Sequence, residues 1–458
     1  MAFGISYISA VLKEHGHETA LYILVRETNE QDVRLFIDTF NPSVVCFTAV
    51  ATEFLFISKW AKKIKEKYPS VYSVCGGCHV SLNPESATRE TFDAICIGEG
   101  EYPLLECVEQ LAQGHKPSGI MNMWFQHNAT IERNPTRTFI EDIDKFPFPD
   151  REMWVPWLLN QNSRPALLLG RGCPFKCTYC SNHALSQISA GRYVRVRSPE
   201  NILEELGKIV TAQRSVTEVY FEIETFGIDI PWALTLCAAL MKFNKDHTPK
   251  LSFGVNLRIT PHIDYESLFD AMARANFKFV NIGLESGSER VRKEIMKRSY
   301  ANSDIEYAVE IARKYGLQVH FLNMVGLPTE TEEDIKQTIA CNRKCQPDLW
   351  ASHSIFFPYP GTNLYDFCVQ KGYLPDVIDM ARERTHSILT METVSRKKIK
   401  HYYEWFDYYV YRGFRPLSII LIRVFLSKIH SSYSLMKIYR RISEFGFLKR
   451  VKRFLKSQ

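Results

Sequence analysis

Three cysteines crowd one short segment, Gly170-Arg-Gly-Cys-Pro-Phe-Lys-Cys-Thr-Tyr-Cys180, in which Cys173, Cys177 and Cys180 have CxxxCxxC spacing. Three thiolates on one loop suit an iron–sulfur cluster. A cubane cluster has four irons, so three protein ligands leave one iron open. An open position marks a catalytic centre rather than a sealed structural one, as it does for zinc. Gly170 and Gly172 let the backbone fold closely around such a group. Three unrelated core cysteines are one other reading, and zinc is another. It calls for a fourth Cys or His, and His183 follows shortly after.

Other polar residues fall at strand ends. Glu222 and Glu224 share one face of a strand by its period of two, as do Asn256 and Arg258 further on. Structural carboxylates and ion pairs account for such residues as readily as ligand binding does. Gly76 and Gly77 stand in Cys75-Gly-Gly-Cys-His-Val80, either as an ordinary tight turn or to admit a ligand against the backbone. The CxxC of Cys75 and Cys78 admits a redox or zinc reading, but Cys75 ends an apolar strand, which favours packing. Cys341 and Cys345, four apart on a helix, read as core or surface thiols. Glu332 and Asp334 suit a helix N-terminus and need no catalytic role.

The elements that must hold these residues come from hydrophobic periodicity. Residues 5–14 have helical spacing, 19–25 and 44–50 read as strands, 54–67 as a helix, and 71–75 and 94–97 as strands. This alternation predicts a parallel sheet wrapped on both faces. The chain opens on a helix, whereas a doubly wound domain normally opens on a central strand, so the first strand is expected to be missing. Segments 121–125 and 130–133 flank His127-Asn128 as a small hairpin, and the three prolines and acids of 142–150 read as an extended linker. From 165 to about 360 the βα rhythm returns, with strands at 166–169, 218–222, 251–255, 279–283, 318–325 and 349–357. About six βα units predict an open, partial (βα)6 barrel whose site lies at the C-terminal strand ends.

The chain has 458 residues, 45% of them hydrophobic and 24% charged, which excludes disorder and fits about three domains. There is no run of 18 uncharged apolar residues to span a bilayer and no secretory signal near Met1. Twelve cysteines in so long a chain are not a disulfide scaffold, so the expectation is a cytoplasmic protein. Residues 396–458 hold 16 Lys and Arg against three acids, while residues 1–395 hold 41 against 48. The net charge of +6 belongs to the tail, and a nucleic-acid partner is not expected. Residues 402–411 are crowded with aromatics, either core or a wall over the barrel mouth. Residues 416–456 mix apolar and basic residues in the manner of an interfacial helix on anionic lipid, so contact with a membrane surface is a second expectation.

The cysteine loop resembles that of the radical SAM superfamily, with Cys173, Cys177 and Cys180 matching its cluster motif. Asn281-Ile-Gly-Leu-Glu-Ser-Gly-Ser288, Met324-Val-Gly-Leu-Pro-Thr-Glu-Thr331 and Pro358-Tyr-Pro-Gly-Thr362 are similar to its "GLESGS", "GLPxET" and "PYPGT" segments. The resemblance implies a 4Fe-4S cluster held by the three cysteines, with S-adenosylmethionine (SAM) on the open iron. It implies that Tyr179 lies against adenine, that Glu224 meets the SAM amino group, and that Arg258 pairs with its carboxylate and Asn256 with its ribose. Glu285 and Ser286 are further polar candidates, and the backbone at Gly326 borders the adenine. Residues 1–115 resemble the cobalamin-binding domain of the class B members. Gly76, Gly77 and Thr48 would line a corrinoid there, although no DxHxxG motif supplies a histidine to cobalt.

The expected order is a cobalamin-binding-like Rossmann-type domain over 1–130, a linker over 131–164, a radical SAM barrel over 165–365 and a helical basic region over 366–458. The group includes anaerobic magnesium-protoporphyrin ester cyclases and phosphorus methylases. It implies cobalamin-dependent methyl transfer to an unactivated carbon of a small molecule, lipid or tetrapyrrole, with a reductase, flavodoxin or ferredoxin as electron donor. The rivals are a radical cyclase or rearrangement enzyme that does not use methylcobalamin, and an iron–sulfur carrier or sensor.

Overall fold

The computed structural model describes residues 1–127, 130–158 and 164–432. The N-terminal unit begins with α1 (Phe3–Glu14) and α2 (Glu30–Phe40). It continues with β1 (Val44–Thr48), α3 (Phe54–Lys67), β2 (Tyr72–Gly76), α4 (Cys78–Leu82), α5 (Pro84–Ala87), β3 (Ala94–Cys96) and α6 (Glu101–Ala112). A hairpin of β4 (Met123–His127) and β5 (Thr130–Arg133) completes a sheet of order β1-β2-β3-β4-β5. The first three strands are parallel and the hairpin is antiparallel to them. Val74, Ala94 and Cys96 bury one face of this sheet under α1 and α6, through Tyr7, Val11 and Leu104. Cys75 and Ile95 bury the other face with Phe54, Ile57 and Ala61 of α3. All twelve cysteines are free, and Cys75 is fully buried in that second layer.

One expected strand is not formed. Residues 19–25 form neither helix nor strand and belong to no sheet. The alternation that suggested a strand is real, since Tyr22 and Leu24 pack on the Val33, Ile37, Trp60 and Ile64 cluster of α2 and α3. What is lacking is a ladder. β1 ends the sheet, and a cavity lies between its residues Val44, Cys46 and Thr48 and residues Leu21, Ile23 and Val25. The Leu21 carbonyl instead accepts from Trp157 Nε1 at 3.1 Å.

The second unit contains β6 (Ala166–Leu168), β7 (Gly170–Arg171), α7 (Ser181–Leu185), β8 (Arg195–Val196), α8 (Pro199–Ala212), β9 (Glu218–Glu222), α9 (Ile230–Asp246), β10 (Ser252–Leu257), α10 (Tyr265–Arg274), β11 (Phe277–Glu285), α11 (Asn302–Lys314), β12 (Gln318–Val325), α12 (Glu332–Cys345) and β13 (Ser352–Ile355). Six strands form one all-parallel sheet in the order β13-β12-β11-β10-β9-β6. β6 and β13 are its two ends, as an open barrel requires. The strands are rich in Val, Ile and Phe because both faces are covered; Val219, Phe221, Phe253, Val255, Val280, Ile282, Val319 and Phe321 are each fully buried. Side-chain caps start the helices at fixed places. Ser198 accepts from Asn201 N, Asp264 from Ser267 N, and Thr331 forms a capping box with Asp334.

The chain ends, as described, in α13 (Asn363–Gln370), α14 (Arg396–Tyr411) and α15 (Leu417–His430). The aromatic stripe of α14 is core, not a mouth wall. Tyr402, Tyr403, Phe406, Val410 and Tyr411 bury against the barrel flank, and Tyr411 Oη accepts from Ala351 N at 2.6 Å. α15 buries Ile419, Ile420, Val424 and Ile429 and leaves Leu417, Leu421, Ile422 and Phe425 exposed. Among the described residues no helix is long and apolar enough to cross a membrane. The rest of the expected interfacial segment, 433–456, lies outside the described residues.

Candidate active site

The cysteine loop follows β6 at the C-terminal end of its strand. β7 turns it back against β8, with Gly170 opposite Val196. Gly172 has φ +85°, and a Cβ there would stand 2.3 Å from the Tyr193 carbonyl, so the crossing admits glycine alone. The far side of the loop is stapled across the barrel. Thr178 Oγ1 donates to the Ile295 carbonyl at 2.6 Å, and Leu364 N donates to the Thr178 carbonyl at 2.9 Å. Cys177 is buried, while Cys173 and Cys180 are half-buried. Burial pushes the Cys173 thiol up and the Cys180 thiol to about 12. Among the described residues no three His, Cys, Asp or Glu are gathered tightly enough for a single metal ion. A four-ligand zinc site with His183 is therefore not preformed, whereas a cubane cluster spreads its sulfur ligands around a larger body.

Arg258, just past β10, reaches this loop. Its Nη1 donates to Cys177 Sγ at 2.6 Å, and its guanidinium lies 3.8 Å from the Phe175 ring centroid. Tyr179 is tied to the end of β11. Arg298 Nη1 donates to Tyr179 Oη at 2.7 Å and to Glu285 Oε1 at 3.2 Å, and its Nη2 donates to the Gly283 carbonyl at 2.8 Å. Burial holds the Tyr179 phenol well above its usual value, against the opposing pull of Arg298. Glu285 sits at φ +61°, a strained conformation for a non-glycine residue at the tip of a strand. Ser286 beside it is fully buried, where it meets Thr338 Oγ1 at 3.2 Å and accepts from Ser288 N; it does not line the large cavity. Gly326, at φ +79°, packs against Ile399 of α14, and its N–H donates to buried Glu330.

The two glutamates of the second strand separate. β9 ends at Glu222, whose carboxyl is raised by burial and then by Glu224. Glu224 lies beyond the strand, exposed on the wall of the large cavity. Asn256 is engaged lower in the barrel. Its Oδ1 accepts from Tyr220 Oη at 2.5 Å and from Asn281 Nδ2 at 3.2 Å, and Asn281 Oδ1 in turn meets His320 Nδ1 at 2.9 Å. This polar ladder crosses β9 to β12 and takes up most of the hydrogen-bonding capacity of Asn256.

The N-terminal unit meets the cysteine loop through charge. Arg171 donates to Glu99 Oε1 at 3.1 Å and Glu101 Oε1 at 2.6 Å, and Arg195 donates to Glu99 through both terminal nitrogens at 3.0 and 2.8 Å. Arg171 also lies over the rings of Tyr7 and Phe146. Burial would raise the Glu99 carboxyl, but the bonds from Arg195 and Arg171 outweigh it and hold it below the usual range. Neither arginine was singled out by motif, although Arg171 sits inside the cysteine segment and Glu99 and Glu101 within Ile97-Gly-Glu-Gly-Glu101.

Above this latch a cavity of about 2760 Å³ joins the two units. Thr48, Gly76, Gly77 and Gly98 line it on one side, and Gly172 and Glu224 on the other. Its size is well beyond the ~300–1,000 Å³ of ordinary small-ligand pockets. Gly77 has a structural duty as well. At φ +97°, its Cβ would stand 2.8 Å from the Thr48 side chain and the Ala49 backbone.

Known proteins agree with this architecture. Residues 167–341 match the Radical SAM superfamily, and residues 2–108 match the B12 binding domain. The chain is 28% identical to an uncharacterized methyltransferase of Pyrococcus horikoshii over 81% of this chain and 79% of that one. It is 24% identical to the anaerobic magnesium-protoporphyrin IX monomethyl ester cyclase of Rubrivivax gelatinosus, over 79% of this chain but only 65% of the cyclase. Its fold is similar to that of the cobalamin-dependent SAM radical enzyme OxsB, solved with aqua-cobalamin and SAM, at a TM-score of 0.69 and 15% identity, covering 97% of this chain and 72% of that one. The chain thus carries a radical SAM domain over residues 167–341 and, ahead of it, a B12 binding domain over residues 2–108. It is a radical SAM enzyme, which implies a 4Fe-4S cluster and SAM, and its B12 domain implies cobalamin. The residues present fit these groups. Three cysteines share one pinned loop with an N–H donor already at Cys177, and the cavity between the domains is large enough for a corrinoid-sized ligand.

Proposed function

We propose that this enzyme transfers a methyl group to an unactivated carbon of a small molecule, lipid or tetrapyrrole. The carrying observation is the cavity shared by the B12 domain and the start of the cysteine loop, which would keep a corrinoid and a substrate beside the cluster. When bound, the cluster supplies the electron that cleaves SAM to a 5′-deoxyadenosyl radical, and cobalamin supplies the methyl group. Cys173, Cys177 and Cys180 are the cluster ligands. Arg258 serves the loop and the SAM carboxylate, Glu224 accepts from the SAM amino group, and Tyr179, held by Arg298, faces the adenine with the Gly326 backbone. Glu285 acts through Arg298, and Asn256 sits at the base of the site. Thr48, Gly76 and Gly77 form the corrinoid wall. Ser286 has no part in ligand binding on this reading.

Cobalt per chain after anaerobic reconstitution with iron, sulfide and hydroxocobalamin tests the proposal. About one cobalt per chain supports it. Iron without cobalt sinks it and leaves radical chemistry without methylcobalamin. The similarity to a cyclase favours ring closure as the second reading. The two differ in SAM products: methyl transfer yields S-adenosylhomocysteine beside deoxyadenosine, and ring closure yields deoxyadenosine alone. The exposed apolar residues of α15, beside a basic sequence, support a cytoplasmic enzyme resting on an anionic membrane surface.

A further inference from the structure

Away from the large cavity, two thiols meet on α12. Cys341 and Cys345 lie four residues apart, both almost wholly buried, and the Cys345 S–H donates to the Cys341 sulfur. That donor, helped by fully buried Arg292 and by Lys344, outweighs burial and Glu306 and holds the Cys341 thiol below its usual range. Such a thiol is the nucleophile of a pair, and its neighbour stands ready to resolve it. Cα atoms four apart on a helix are about 6 Å apart, inside the ~4.4–6.8 Å of a disulfide, but their Cβ atoms are ~5–6 Å apart against the ~3.5–4.5 Å it needs. Closing the bond must therefore tighten the helix. Cys345 is the last residue of α12, and a left-handed Gln346 follows at φ +48°, so this end can give.

The other side of Cys341 meets the turn after β11. A Cβ on Gly287 would stand 2.8 Å from Cys341 Cβ and 2.6 Å from Thr338 Cα, so α12 lies against bare backbone there. Arg292 donates to the Ser286 carbonyl at 2.5 Å and to Asn302 Oδ1 at 2.7 Å, and its own carbonyl accepts from Arg298 N at 2.7 Å. Arg298 in turn holds Tyr179 of the cysteine loop.

We propose that Cys341 and Cys345 are a reversible redox switch, in which peroxide closes a disulfide that draws in the end of α12 and loosens the turn behind Glu285. The Cys341 thiolate attacks one peroxide oxygen, the O–O bond breaks and hydroxide leaves, giving a sulfenic acid. The Cys345 sulfur then attacks the Cys341 sulfur, the S–O bond breaks, and water leaves with the Cys345 proton. Two thiols are oxidised and one peroxide is reduced to two waters. The disulfide is neutral, so Arg292 also loses its partner charge.

The test treats the full-length chain and its Cys345→Ser variant with hydrogen peroxide. Trypsin cuts after Arg343 and Lys344, so a bridge keeps together pieces that otherwise separate, and mass spectrometry detects it. The wild type should form the bridge, its amides over 284–300 should exchange hydrogen about tenfold faster, and dithiothreitol should reverse both changes. The variant should show neither. Absence of the bridge in the wild type would overturn the proposal. So would a bridge that leaves exchange over 284–300 unchanged, or an equal rise in the variant, which would trace the loosening to oxidation elsewhere.

Discussion

Arg258 Nη1 lies 2.6 Å from Cys177 Sγ, placing a fixed positive charge and an N–H donor on a cysteine sulfur of the loop. Hydrogen bonds to cluster sulfurs and local charge set cluster potentials. In reconstituted Arg258→Gln the potential should move to more negative values with iron content unchanged. A redox titration followed by electron paramagnetic resonance reads this directly. An unchanged potential would confine Arg258 to SAM.

Cys177→Ala should abolish deoxyadenosine formation while leaving the fold intact. The side chain removed is small, and its loop is held separately by Thr178 and Leu364. Circular dichroism and chromatography of products under reductant check the two halves. Wild-type deoxyadenosine from this variant would refute the cluster assignment.

Arg171→Met tests the latch between the units. Glu101 is 2% exposed and would lose its charged partner. Breaking one side of a buried pair costs about 3–5 kcal/mol, measured as a shift in urea denaturation. Arg171→Lys should recover part of this loss, since it keeps the charge without the fork that reaches both Glu99 and Glu101.

Glu330 makes stability depend on pH. Burial raises its carboxyl from 4.5 to about 8, although backbone N–H groups of Gly326 and Leu327 pull the other way. Below pH 4.5 the group is protonated in both folded and unfolded chains and contributes no slope. Between 4.5 and about 8 the unfolded chain gives up its proton and the folded protein keeps it. Stability therefore falls as pH rises through this window, by on the order of a few kcal/mol. Glu330→Gln keeps an acceptor for the two N–H groups and removes the ionisation. Its denaturation midpoint should change less between pH 5 and 8.5 than that of the wild type, and parallel profiles would refute the assignment.

The membrane expectation reduces to one helix face. Leu421→Glu with Phe425→Glu places charge on exposed positions of α15 and leaves its buried side untouched. Sedimentation with anionic liposomes should drop in this variant. Equal sedimentation, or none for the wild type, removes the idea.

The cysteine loop and the six barrel strands were legible because a parallel sheet writes itself as separate apolar runs and because three thiols at that spacing have few other uses. Residues 19–25 misled because period-two alternation records which faces are apolar, not whether a neighbouring strand exists to pair with. Asn256 and Ser286 were read as ligand contacts from their positions in the chain. The structure places one in a ladder with Tyr220 and Asn281 and the other behind Thr338, since a polar residue near a strand end is equally suited to satisfying its neighbours. Arg171, Arg195 and Arg298 escaped notice because each acts on carboxylates far away in sequence, and a lone arginine carries no periodic signal.

Each strand of the barrel pairs with the one that precedes it in the chain, from β6 to β13. Synthesis can therefore lay the sheet down one strand at a time, with no early strand waiting for a distant partner. The cysteine loop comes directly after the first strand, so it is made before Arg258, Arg298 and the Ile295 turn that enclose it. During that interval its thiols stand open to incoming iron and to oxidants alike. The order of the strands thus makes the loop of the nascent chain both ready for cluster insertion and open to oxidation until its later partners are made.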